Sequence, residues 1–104
     1  MGNPWRGEVS IVIDGERYEA RLTLGALAEL EAAMEADSLL ALVERFEGNR
    51  FSSRDVVALL AAGLRGGGSK IDAAKIEHAQ IEGGPMAAAR AAAELLARAF
   101  TVQA

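Results

Sequence analysis

The sequence predicts an α+β fold that is mainly helical: an N-terminal β-hairpin followed by four to five α-helices. Three observations predict it. Asp14-Gly15 separates two runs whose apolar residues alternate. From Thr23 onward the apolar residues recur at three- and four-residue spacing. Glycine clusters at 66–68 and 83–84 then divide that long helical stretch into pieces. Strands first and helices after, over 104 residues, is the pattern of one α+β domain spanning residues 1–104.

In the hairpin, Val9, Ile11 and Ile13 alternate with Ser10 and Val12, and Tyr18, Ala20 and Leu22 with Arg17, Glu19 and Arg21. A lone hairpin is marginal in water, so its apolar face must pack on helices or its edge must pair with another chain. The first helix begins after Thr23 as N-cap. Leu24, Leu27, Leu30 or Glu31, and Met34 follow its period, with Glu29 and Glu35 on the wet side. Gly25 lowers the helix propensity of the first turn, a cost that close packing there would explain. A shorter helix follows, capped by Asp37 or Ser38 and ended by Gly48-Asn49, with Leu39, Leu42, Val43 and Phe46 in one stripe and Leu40 off it. Ser52 and Asp55 match a capping box for the next helix, with Phe51 and Val56 as its hydrophobic staple. Val56, Leu59, Leu60, Gly63 and Leu64 form that helix's buried stripe. A short helix is expected over 72–80. The last helix opens at Pro85 and turns Ala88, Ala92, Leu95, Leu96, Ala99 and Phe100 to one side.

The composition is 51% hydrophobic, but much of that is alanine, so the core is expected to be thin and helix-rich. A net charge of −4 without a basic run argues against nucleic acid as a partner. The chain has no cysteine, which excludes disulfides and thiolate chemistry. "MGNPWRGEV" lacks an apolar signal region, and no apolar run is long enough to span a membrane. The expected location is therefore the cytoplasm, and no membrane is expected as a partner.

Four groups of residues carry side chains or spacings that chemistry could use. Gly63 and Gly68 have the separation of a phosphate loop, but Ser69-Lys70 reverses the order that motif needs, and the glycines follow a helix instead of a strand. A helix end and loop is the better reading. His78, the single histidine, would form an i, i+4 pair with Glu82 beside Glu77; metal sites recruit more ligands than that. Glu29, Glu31, Glu35 and Asp37 read as a solvated face. Ser52, Ser53 and Ser69 lack the neighbours a nucleophile needs. No catalytic, cofactor or metal residues are expected, and the chain is not expected to be an enzyme. Two features point instead to binding. The small residues from Ala87 to Ala93 allow close helix approach, within the domain or against a partner. Apolar Trp5 precedes the first strand, where it would fold back as a lid or be held by a neighbouring subunit.

The segments "NPWRGEVSIVIDGERYEARLTLGALAELEAAM", "SLLALVERF", "FSSRDVVALLAAGLRGGG" and "IEGGPMAAARAAAELLARAF" resemble, in this order and over nearly the whole chain, the small tail proteins of gene transfer agents and related tailed phages. Its most specific parts are Arg21 to Glu31 and Leu59 to Gly68. That family carries two labels, tail tube protein and tail assembly chaperone. Tube subunits of tailed phages are β-rich, so the resemblance implies a chaperone that binds the long helical tape measure protein in the bacterial host cytoplasm. The alternative it implies is a structural tube or connector subunit retained in the particle. The implied partners are the tape measure protein and the tail tube protein, with self-association through the hairpin edge as a further expectation. Leu39, Leu40, Val43 and Phe46 are the candidate contact residues, because the short helix holds more apolar surface than it can bury alone.

Overall fold

The computed structural model describes residues 8–33 and 39–100. The expectations for Trp5, Met34 and the Asp37 or Ser38 cap lie outside those residues. Among the described residues two strands, β1 (Val9–Ile13) and β2 (Glu16–Ala20), precede five helices: α1 (Leu24–Ala33), α2 (Leu39–Glu47), α3 (Ser53–Gly66), α4 (Ala73–His78) and α5 (Gly84–Ala99). The fold class is the α+β, mainly helical one that the sequence predicts.

The strands pair antiparallel with Val9 opposite Ala20 and Ile13 opposite Glu16. Asp14 and Gly15 both take positive φ, 51° and 83°, the turn geometry whose twist suits a two-residue hairpin. One face of the hairpin buries Val9, Ile11, Ile13 and Ala20. The other face is polar: Ser10 donates to Glu19 at 2.6 Å, and Arg17 reaches both Ser10 and Glu19.

Both sheet edges are engaged within the chain. Residues 80–82 lie along β1, where Glu82 N–H donates to Val12 O at 3.0 Å and Asp14 N–H donates to Gln80 O at 2.8 Å. Asp14 Oδ1 also accepts from Gln80 N–H. In a two-residue hairpin the flanking pair is hydrogen-bonded, so the peptide groups of Arg17, Glu19 and Arg21 face away from β1. On that side Arg21 N–H donates to Gly63 O at 2.7 Å.

The α3 helix lies at the centre, packing against α1, α4, α5 and β2. Its start is the expected capping box: Asp55 N–H donates to Ser52 Oγ, and Ser52 N–H donates to Asp55 Oδ2. Its end explains the glycine run. A Cβ on Gly63 would sit 2.8 Å from Leu95 Cδ1. A Cβ on Gly66 would overlap Arg21 O, and one on Gly67 would overlap Glu19 O. These glycines let the last turn of α3 press on the backbone of β2. Gly68 has a different task. At φ 99° it closes the helix, with Ser69 N–H bonding Leu64 O and Gly68 N–H bonding Arg65 O, a Schellman end.

Three details differ from expectation. In α1, Thr23 Oγ1 accepts from Ala26 N–H as the predicted cap, but the buried residues are Ala26 and Leu30, while Leu24 is 84% exposed. A Cβ on Gly25 would meet only Thr23 Oγ1, at 3.9 Å, so Gly25 serves no close packing. Ala26 lies against the glycine end of α3, where only a small side chain fits, and that turns Leu24 outward. The α4 helix stops at His78, so Glu82 sits in the segment along β1 and the expected helical His78–Glu82 pair does not form. On α5, Ala91 joins the buried Ala88, Ala92, Leu95 and Leu96, whereas Phe100 is half exposed.

Candidate partner-binding surface

The α2 helix is fastened along one side. Leu42 is fully buried, and Leu39, Val43 and Phe46 are half-buried against the core. Leu40 points the other way and is 67% exposed. Arg45 clamps the helix to the start of α3: its Nε and Nη2 reach Asp55 Oδ2 and Oδ1 at 3.2 and 3.1 Å. Asp55, nearly buried, thus serves both features: its Oδ2 accepts from Ser52 N–H and from Arg45 Nε, and its Oδ1 from Arg45 Nη2. Phe51, expected as the outer half of a staple with Val56, has its ring stacked on Phe46 with centroids 4.4 Å apart. The helix ends on Asn49 at φ 55°, with Arg50 N–H bonding Arg45 O at 2.7 Å.

Beside this clamp runs a groove of about 950 Å³ bounded by α1, α3 and α4. Leu30, Ala33, Val57, Ala58, Ala61 and Ala73 supply its apolar lining. Charges rim it: Glu29 pairs with Arg65 at 2.8 Å on one side, and Glu77 and His78 stand on α4. Arg54 and Asp55 mark the end where the groove meets the α2 clamp. Small side chains below and mixed charges along the rim suit an amphipathic helix laid lengthwise. Sequence reasoning missed this surface because alanines at helical spacing read equally well as core; the signal was their density in α3.

The geometry at the glycines does not suit phosphate. They stand at the C-terminal end of α3, where carbonyls and the negative end of the helix dipole gather. Ser69 Oγ is occupied in accepting from Ile71 N–H, and Lys70 is exposed. No group of three or more His, Asp or Glu side chains converges in metal-binding geometry among the described residues. Nor is any helix among them long and apolar enough to cross a membrane.

A family model described as "Phage tail tube protein, GTA-gp10" matches residues 6–102. The chain belongs to that family. It is therefore a phage-type tail protein of the gene transfer agent kind, and other tail proteins are its natural partners. The family is one of tail structure and assembly and not a known enzyme family. No curated protein and no solved structure matches the chain. For a tail protein, the contrast between a groove lined with small side chains and a sheet with both edges engaged bears directly on its role.

Proposed function

We propose that this protein is a tail assembly chaperone, a single domain that binds the tape measure protein non-covalently in the host cytoplasm and keeps it soluble while the tail assembles. The observation that carries the reading is the groove between α1, α3 and α4, continuous with the α2 clamp. A tape measure protein is a long apolar helix, which aggregates in water unless its surface is covered. A groove floored by alanine and valine offers such a helix a close, shallow seat. Leu39, Leu40, Val43 and Phe46 extend that seat along α2, with Leu40 as the protruding contact. Each copy covers a short length of rod, so capture relies on many weak contacts, and weak contacts yield to the polymerising tube protein. No chemistry on the partner is required, so the protein is not an enzyme and needs no cofactor. The net charge of −4 keeps the coated rod soluble.

A second reading, a tube or connector subunit retained in the particle, is favoured by the wording of the family description. Against it stands the two-stranded sheet, whose edges bond to residues 80–82 and to Gly63 and so are engaged within the chain. Co-expression with the neighbouring tape measure protein separates the two. Solubilisation and co-purification of that partner, with the protein missing from assembled particles by mass spectrometry, are the expected results. Absence of binding together with many copies in the particle would overturn the chaperone reading.

A further inference from the structure

The charges around the groove are of two kinds. Arg65 is neutralised by Glu29, and Asp55 is committed to Arg45 and the capping box. Arg54 and Glu77 also line the groove, and both are exposed. Neither forms an ion pair or a side-chain hydrogen bond among the described residues. Arg54 is also out of place in its own helix. It is the second residue of α3, where free N–H groups and the helix dipole favour an acid. Arg45, Arg65 and Arg98 lie instead in the last turns of their helices, where a cation is favoured, and each has an acidic partner. Glu77 mirrors Arg54, as an acid in the last turn of α4. Two unpaired charges, each held against its own helix dipole and both at one groove, are accounted for by a ligand that carries the opposite charges.

We infer that Arg54 and Glu77 select the segment that the groove takes: an amphipathic helix whose apolar stripe is flanked by an acid that meets Arg54 and a base that meets Glu77. The inference rests on the chaperone reading above and deepens it. Along α3 the groove runs from Arg54 to Arg65, about three turns or about 16 Å, so it seats a segment of similar length. Ala58, Ala61 and Ala73 carry little bulk, so the segment fills the groove with large apolar side chains of its own. Apolar contact supplies the strength, and the two charges supply the choice of segment. A rod of many apolar turns could sit in the groove at any register. Arg54 and Glu77 favour the registers at which both charges are met, and repel those that bring like charges together.

The test holds co-expressed tape measure protein on the immobilised full chain and washes it with rising salt. Retention should fall as NaCl rises from about 0.05 M to about 0.5 M, because exposed ion pairs are screened. Arg54→Glu and Glu77→Lys should each lower retention at low salt several-fold, and together by about tenfold or more. The neutral double variant, Arg54→Gln with Glu77→Gln, should lose the salt dependence. Arg54→Glu should leave Tm unchanged or raise it, since an acid suits the first turn of α3, so weaker capture by this variant is not unfolding. Arg54→Lys should keep most of the capture and supplies an amine. A carbodiimide should then join position 54 to an Asp or Glu of the tape measure protein, and Glu77 to one of its lysines, as mapped by mass spectrometry. Full retention by both charge reversals, where the unaltered chain does capture, would overturn the inference and leave the chaperone reading standing. Failure of the unaltered chain to capture would overturn both. Cross-links from positions 54 and 77 to a second copy of this chain would overturn the inference by assigning the charges to self-association.

Discussion

Helices α3 and α2 hold their places by opposite means. The α3 helix is gripped on several sides: by β2 at its glycine end, by α5 through Leu95, and by α1 and α4 along its length. The α2 helix is attached along one side only, through fully buried Leu42, half-buried Leu39, Val43 and Phe46, and the Arg45–Asp55 ion pair, while Leu40 projects into solvent. The difference separates tasks. Local stability follows the density of buried contacts, so α3 sets the stability of the whole and α2 can adjust to a partner without loss of the fold.

Substitutions along the two helices sharpen this comparison. Gly66→Ala should have the largest effect. The added methyl meets the Arg21 carbonyl, which cannot withdraw because Arg21 N–H is bonded to Gly63 O. A loss of about 3 kcal/mol or more is expected, a fall in Tm well above 10 °C for a chain of this size. Leu42→Ala should cost about 2–4 kcal/mol by urea denaturation, since it empties the one deep anchor of α2. The contrast is broken if Leu42→Ala lowers stability more than Gly66→Ala does. Asp55→Ala removes the capping box and the Arg45 pair together and should cost about 1–2 kcal/mol. Leu40→Asp should shift stability by no more than about 0.5 kcal/mol while abolishing tape measure capture in co-expression. Charging Val43 as well should leave capture abolished and add some cost in stability, because Val43 rests on the core. Undiminished capture by the folded double variant would remove α2 from the binding surface.

Most of the fold was legible in the sequence, for identifiable reasons. Asp14-Gly15 declares a turn that few other residue pairs can make, and Ser52 with Asp55 declares a helix start; both act over a few residues. What was hidden depends on distant contacts. The α1 helix is apolar nearly all round, so its period could not choose between Leu24 and Ala26 as the inward residue. The choice falls to the glycine end of α3, some 40 residues away in the chain. The segment at 80–82 carries only Ile81 as a strand signal, and its pairing with Ile13 is visible only in three dimensions. The groove was hidden for a third reason. Its alanines fit a core as well as a surface, and only the arrangement of three helices decides which they become.

The contact between residues 12–14 and 80–82 has a consequence for synthesis. The hairpin is made early, but the segment that closes its β1 edge, residues 80–82, is made only about 60 residues after β2 ends at Ala20. Translation adds about 5–20 residues per second, so the growing chain carries an open strand edge for several seconds. An open edge invites pairing with other nascent strands. In a cell making many copies at once, a product truncated before Gln80 is therefore expected to precipitate, whereas the full-length chain closes its own edge as it is released.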